Sequence, residues 1–182
     1  ELYLYFEQIS DDALTKISES IKGSTSITEI YIDNFSSGYS NSFLPAPRDQ
    51  NLKNNFITAV QSITTLKSLT ISSSIYAEDL DSLLSNNKTV EALVLMIHQL
   101  PKNLPDLINN NKVISHLTIF TESLTSIEKD VKILVKTLRN SSHIRGLHLM
   151  APVQAFDKNK FKEIVNALET HLSFEALTLK IK

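Results

Sequence analysis

A six-residue arrangement of apolar positions recurs along this chain. Two residues separate its first apolar position from the second, and one residue separates the second from the third. Six copies are present, at Ile27-Ile30-Ile32, Leu66-Leu69-Ile71, Val90-Leu93-Leu95, Ile114-Leu117-Ile119, Ile144-Leu147-Leu149 and Phe174-Leu177-Leu179. Residues 1–4, Glu-Leu-Tyr-Leu, match the last four positions of a seventh copy. The central residues of successive copies lie 24 to 39 residues apart, and recurrence at such intervals is typical of a solenoid of stacked repeats.

Between the copies the apolar spacing lengthens from two residues to three or four, which indicates a change from strand to helix. Six apolar stripes follow this helical spacing, at Ala13/Leu14/Ile17/Ile21, Leu52/Phe56/Val60/Ile63, Leu80/Leu83/Leu84, Leu104/Leu107/Ile108, Ile127/Val131/Leu134/Val135/Leu138 and Phe161/Ile164/Val165/Leu168. Ser, Asp or Glu residues suited to helix N-termini precede most stripes, and clusters of Gly, Ser and Asn follow them. The chain therefore alternates predicted strands and helices.

This alternation predicts parallel strands joined by right-handed crossovers. A helix is about 10 Å wide, whereas paired strands lie about 4.8 Å apart, so stacked units must curve with the sheet inside. The sequence thus predicts an α/β horseshoe of about seven strands, with a parallel sheet on the concave face and helices on the convex face.

Composition narrows the possible partners. The chain has 182 residues, enough for one sizeable core, and we expect a single domain over residues 1–182 that is a segment of a longer protein. Its 18 basic and 20 acidic side chains give a formal charge of -2, which argues against nucleic acid as a partner. The chain contains no cysteine, which fits a reducing compartment. No apolar run approaches the roughly 20 residues that a membrane span requires.

Residues 83–95, Leu-Leu-Ser-Asn-Asn-Lys-Thr-Val-Glu-Ala-Leu-Val-Leu, resemble the join between helix and strand in ribonuclease-inhibitor-like leucine-rich repeats. Residues 107–119 and 138–149 resemble this join too. The resemblance covers nearly the whole chain and implies a leucine-rich repeat solenoid that serves as a protein-binding scaffold. The Asn, Ser, Lys and Ile bias is similar to that of leucine-rich repeat effectors of intracellular bacteria such as Legionella. That similarity implies a protein that is cytoplasmic or is secreted into a host cytoplasm.

The chain departs from the family pattern in one respect. The family usually has Asn three residues beyond the last strand leucine, where its side chain satisfies backbone groups. The corresponding residues here are Phe35, Ser74, His98, Glu122 and Pro152. We therefore expect irregular turns after the strands.

The residues between the buried strand positions define the concave surface, because successive strand side chains point to opposite faces. Met96, Phe120 and Met150 align on three neighbouring strands, with Val94 beside them. Tyr31, His116 and His148 occupy the same face. Met and aromatic side chains are favoured at interface cores, so these seven residues are candidates for partner binding. In the alternative reading, the loops that follow the strands cover them.

A second candidate is the loop at residues 35–48, which we interpret as an insertion because the copies on either side of it are the most widely separated. It would lie on one rim of the sheet, next to the loops that leave Phe120 and Met150. Insertions on one face of a repeat protein often carry binding residues. Tyr39 and Phe43 are the candidate contacts within it. A variable surface loop without a binding role is the alternative.

Candidate chemistry is sparse. His116 and His148 lie diagonally on adjacent predicted strands, but no cysteine or carboxylate ladder completes a zinc site with them. The serines occupy turns without a nucleophile motif, and three glycines cannot form a phosphate-binding loop. The sequence therefore predicts no metal site, no cofactor and no enzymatic activity in this segment.

Two functional hypotheses follow. In the first, the protein is a monomeric interaction module that binds a protein partner through its concave sheet and the adjacent loop rim, plausibly as a bacterial effector in a host cell. In the alternative, it is the targeting part of an enzyme, such as a ubiquitin ligase, whose catalytic domain lies outside these residues. A structural role in self-association is a third possibility.

Overall fold

The computed structural model describes residues 1–5, 9–33, 50–72, 77–97, 99–121, 127–151, 158–169, 171 and 174–181, with the backbone alone at residues 50, 77–79, 127 and 181. The strands are β1 (Leu2–Tyr5), β2 (Glu29–Asp33), β3 (Ser68–Ser72), β4 (Ala92–Met96), β5 (His116–Phe120), β6 (Gly146–Ala151) and β7 (Ala176–Ile181). The helices are α1 (Asp11–Ile21), α2 (Gln50–Gln61), α3 (Ala77–Ser85), α4 (Leu104–Asn110), α5 (Ile127–Asn140) and α6 (Lys158–Leu168). Strand and helix alternate throughout, as the repeat predicts.

The chain packs as two compact units, Glu1–Val90 and Glu91–Lys182, called unit 1 and unit 2 below. The sequence-based expectation of one domain over residues 1–182 stays a prediction. The predicted insertion at residues 35–48 lies outside the described residues, as do the five positions at which the Asn ladder is replaced.

In unit 1, strands β1, β2 and β3 pair in parallel and in chain order. Ile30 lies opposite Leu2 on one side and Leu69 on the other, so equivalent positions of the repeat are in register. Ile32 and Ile71 are fully buried. Phe56, from α2, joins the same core at 0% exposure. The predicted strand register is therefore confirmed in this unit.

In unit 2, strands β4 to β7 pair in parallel, again in chain order. Leu93, Leu117, Leu147 and Leu177 share one register line. The first three are at most 2% exposed. The seven parallel strands alternating with helices confirm the predicted α/β fold class.

The first apolar residue of each copy does not belong to the strand. Val90, Ile114 and Ile144 lie in the preceding turn, two residues before the strands begin, and are at most 1% exposed. They are buried anchors that close the turn between helix and strand.

Buried polar residues occupy the same place in four of these turns, three residues before the first apolar position. They are Asn87, Asn111, Ser141 and His171. Each backbone N–H donates to a carbonyl of the last helical turn, for example Asn87 to Leu84 at 3.1 Å. Two of the side chains add further contacts: Asn87 Oδ1 accepts the Val90 N–H at 2.8 Å, and His171 Nε2 contacts the Leu138 carbonyl of α5 at 2.5 Å. Such contacts satisfy polar groups that helix ends leave open.

Among the described side chains, the helices follow the predicted stripes with one exception. Ser10 caps α1, its Oγ accepting the Ala13 N–H at 3.3 Å. Phe161 was expected in the stripe of α6, but it is 38% exposed, whereas Ile164 is fully buried. Helix α6 packs on α5, and no described helix lies beyond it, so the flank that carries Phe161 has no helix to cover it. No described helix combines the length and apolar character that crossing a membrane would need.

Candidate functional site

The outward face of the unit 2 sheet brings together most of the predicted partner-binding residues. Phe120 lies opposite Met96 on β4 and Met150 on β6, forming one row across three strands. We call Met96, Phe120 and Met150 the apolar row. All three side chains are half-buried, whereas the leucines that alternate with them are buried. The apolar row is therefore partly accessible to solvent, and the hydrogen-bonded strands β4, β5 and β6 hold it in place.

A second row runs beside the first. Thr118 lies opposite Val94 on one side and His148 on the other. The His148 ring is tilted by 50° against the Phe120 ring, with centroids 5.8 Å apart. Aromatic contacts at this spacing restrict both side chains, so Phe120 is held in place on the face.

His116, at the start of β5, lies against Gly146 of β6. A Cβ added to Gly146 would come within 2.6 Å of His116 Cδ2, so the imidazole occupies the space that a side chain on β6 would fill. Ser115 Oγ holds the other side of the ring, 2.9 Å from Nδ1. His116 is exposed, and this packing directs it along the face.

Unit 2 thus unites Val94, Met96, His116, Phe120, His148 and Met150. Tyr31 lies in unit 1, on β2. Tyr39 and Phe43 lie outside the described residues.

A mainly apolar cleft borders the apolar row at the C-terminal ends of β4, β5 and β6. Ile97, Ile119, Val131 and Leu134 line it, and Met150 belongs to both the cleft and the row. Asp130 of α5, only 8% exposed, accepts the Leu100 N–H at 3.0 Å on the cleft wall. That bond ties α5 to the chain that leaves β4, which keeps the rim of the sheet face in place.

Lys180 was not among the predicted contacts. It lies on β7 opposite Met150 and is exposed. Its position in the repeat alignment could have revealed it, but its residue type resembles an ordinary solvated lysine. The described outward residues of these four strands include Lys180, His116 and His148 but no carboxylate.

The predicted partner-binding residues also leave out two aromatic residues on the outward face of unit 1. Tyr3 lies directly opposite Tyr31, with ring centroids 5.6 Å apart, and Tyr5 lies 6.2 Å from the same ring. Tyr3 and Tyr5 are 56% and 60% exposed. The alternation Leu-Tyr-Leu-Tyr was the available signal, because it places both tyrosines on the outward face. We call Tyr3, Tyr5 and Tyr31 the tyrosine patch.

Carboxylates surround the tyrosine patch. The Tyr3 hydroxyl donates to Glu1 Oε2 at 3.0 Å, and the Tyr31 hydroxyl lies 3.4 Å from Asp33 Oδ2. The hydrogen bond to Glu1, together with that carboxylate's charge and a smaller contribution from Glu29, raises the pKa of the Tyr3 hydroxyl above its ordinary value. The described outward residues of the unit 1 strands thus include carboxylates but no Lys, Arg or His.

The arrangement of titratable groups does not form a metal centre in the part of the chain that the structure describes. No group of three or more His, Asp or Glu side chains there could hold a metal ion. His116 and His148 have no third ligand within these residues.

Among solved structures, the chain is similar to one described as Leiomodin-1 Actin-Binding Site 2 (ABS2). The TM-score is 0.53 at 15% sequence identity, over 91% of this chain and 90% of that chain. This likeness shows the fold, an α/β arrangement of the leucine-rich-repeat type. No family model matches the chain, and no curated protein matches it in sequence.

Proposed function

We propose that this protein is an interaction module that binds another protein through the outward sheet face of unit 2. The observation that carries the proposal is the apolar row, in which Met96, Phe120 and Met150 are in register and accessible on three adjacent strands. A contiguous apolar surface of this kind is costly in water unless a partner covers it. Aromatic and Met side chains are also the types enriched at interface cores.

The fold likeness supports a protein as the partner. The neighbour's description names an actin-binding site, which is a protein-binding role on the same kind of α/β framework. Identity of 15% leaves the binding residues of the two chains free to differ, so partner choice here rests on the unit 2 face itself. Lys180, next to Met150 at the edge of this face, would favour a partner segment that is apolar at its centre and carries an acidic residue beside it.

The wider biological role that we propose is that of a ribonuclease-inhibitor-like leucine-rich repeat protein acting in a cytoplasm. The compositional similarity to bacterial effectors supports secretion into a host cell. In this role the segment has no reaction of its own, and the loop rim with Tyr39 and Phe43 contributes to binding.

The test is loss of binding on disruption of the apolar row. Phe120→Asp and Met96→Asp place a charge at the centre of the face. Phe161→Asp is the control, because it makes the same kind of change at an exposed position of α6. Proteins captured from a host-cell lysate by the wild type and by Phe161→Asp, but lost with Phe120→Asp, are specific partners. Binding of one such purified partner should weaken by at least about 30-fold in Phe120→Asp, as expected for an interface hot spot.

Circular dichroism and the urea midpoint establish that each variant is folded. Equal capture by wild type and by both row variants would refute the assignment of this face. In the alternative, this segment is the targeting part of an enzyme. A catalytic domain elsewhere in the full-length protein would support that alternative.

A further inference from the structure

We propose that the tyrosine patch of unit 1 binds a basic, arginine-containing segment of a protein partner. This inference goes beyond the function proposed for unit 2, because it concerns other strands and a ligand of different chemistry. It rests on three features of the unit 1 face: exposed aromatic rings, charged side chains that are all acidic, and strands held in a fixed register.

The rings are arranged so that one cation can contact two of them. Tyr3 and Tyr5 flank Tyr31 with centroid separations of 5.6 and 6.2 Å and interplanar angles of 39° and 47°. The rings are therefore neither stacked face to face nor edge-on, and those of Tyr3 and Tyr5 are more than half exposed. A cation within about 6 Å of a tyrosine centroid is attracted by the ring quadrupole, and these separations allow one guanidinium to meet that condition for two rings.

The charge of the face selects a cation. Glu1, which directly precedes β1, and Glu29, at the start of β2, are both exposed beside the tyrosines. The outward residues described on β1, β2 and β3 include no Lys, Arg or His. A cation bound beside Glu1 and Glu29 would be attracted by both carboxylates.

Arginine fits these groups better than lysine does. Its planar guanidinium stacks on an aromatic ring while its N–H groups reach a carboxylate in a fork. A lysine ammonium can do only one of these well. Ser68, Thr70 and Ser72 continue the same face on β3 with small polar side chains, which leaves room for the backbone of an extended segment.

The experiment measures fluorescence anisotropy of labelled nine-residue peptides with the full 182-residue chain. One peptide alternates Arg with Gly, and matched peptides carry Lys or Glu in place of Arg. The Arg peptide should bind more tightly than the Lys peptide, and the Glu peptide should not bind. Binding should weaken as salt rises, because the attraction of Glu29 is screened.

Three variants test the site. Tyr5→Leu and Tyr3→Leu remove exposed rings, and Glu29→Gln removes a charge without changing shape. Each should weaken Arg-peptide binding about two- to fivefold. Glu19→Gln is the matched control, since it removes an exposed carboxylate from α1 of the same unit and should leave the affinity unchanged.

Equal affinity of the wild type, Tyr5→Leu and Glu29→Gln for the Arg peptide would overturn the proposal, as would equal binding of the Arg and Glu peptides. Concentration-dependent light scattering that Tyr5→Leu abolishes would also overturn it, because the patch would then be a contact between copies of the chain. None of these results bears on the apolar row of unit 2.

Discussion

At the scale of single residues, Asn87 shows how one buried side chain closes a turn. It is 2% exposed, and its Oδ1 accepts the N–H groups of Thr89 and Val90 at 2.9 and 2.8 Å. Thr89 Oγ1 lies 3.3 Å from the same oxygen. Asn87→Ala would leave these buried donors unsatisfied, so we expect the free energy of unfolding to fall by about 1–3 kcal/mol.

The neighbouring Asn86 is the control for this prediction. It is exposed in the same turn, and Asn86→Ala should change the free energy of unfolding by less than about 0.5 kcal/mol. Urea unfolding of both variants measures the difference. Equal losses would mean that the turn tolerates removal of its acceptor.

At the scale of elements, the turn between α5 and β6 packs His143 close to the end of α4. Burial is the main cause that lowers the pKa of His143 below its ordinary value, and the nearby Lys112 charge adds to it. The backbone at Ile108 and Asn111 favours the protonated ring, but it does not outweigh burial. Among described groups, neither ring nitrogen forms a well-aligned hydrogen bond.

This turn should make the fold sensitive to acid. In the unfolded chain His143 regains its ordinary pKa near 6.5, so below that pH the unfolded state binds the proton more readily. The contribution of neutral His143 to the free energy of unfolding is therefore complete above pH 6.5. It is lost as the pH falls through the lower pKa that this ring has in the folded state. We therefore expect the urea midpoint of the wild type to fall between pH 7.5 and 5, and that of His143→Gln to fall less.

Two measurements decide this prediction. Urea unfolding at four pH values compares the wild type with His143→Gln. An NMR titration of the His143 ring in the folded protein should give a pKa below the ordinary histidine value of 6.5. An identical pH dependence in His143→Gln would assign the acid sensitivity to other groups.

At the scale of the whole molecule, the repeat predicts a gradient of stability along unit 2. Leu117 and Leu147 are 1% and 2% exposed and lie on strands paired on both sides. Leu177 occupies the same register position on β7 but is only half-buried. Truncation of a buried leucine removes more apolar contact and leaves a larger cavity.

Leu117→Ala and Leu147→Ala should each cost about 2–5 kcal/mol of unfolding free energy. We expect Leu177→Ala to cost about half as much, because part of its side chain already contacts water. Urea unfolding of the three variants checks the order. Equal costs at the three positions would show that β7 contributes to the core as fully as the inner strands do.

The apolar pattern was sufficient to predict the strands and their register. Leu93, Leu117 and Leu147 had to align because a shift by one residue would expose every buried side chain of a strand. The same constraint aligns Met96, Phe120 and Met150 in one row. Register is a property of the burial pattern, and burial is what the sequence encodes most directly.

The contacts within each face could not be predicted in this way. The sequence does not predict that His116 lies over Gly146, or that the rings of Tyr3 and Tyr5 lie within 6.2 Å of the Tyr31 ring. The rotamers of outward side chains depend on their neighbours and not on periodicity. The sequence predicts that Asn87 and Asn111 lie in turns, but it does not predict that they are buried. Polar residues are normally exposed, and only the packed turn reveals the backbone donors that Asn87 satisfies.

The sequence alone therefore determined the order of strands and helices, the parallel register and the set of side chains on each outward face. The tertiary structure decided which of those side chains touch, which are accessible and which charges lie beside them. The reason is physical: burial of apolar residues follows a period that can be read along the chain. A binding surface depends instead on distances between residues of different repeats, and these are fixed only when the strands pair.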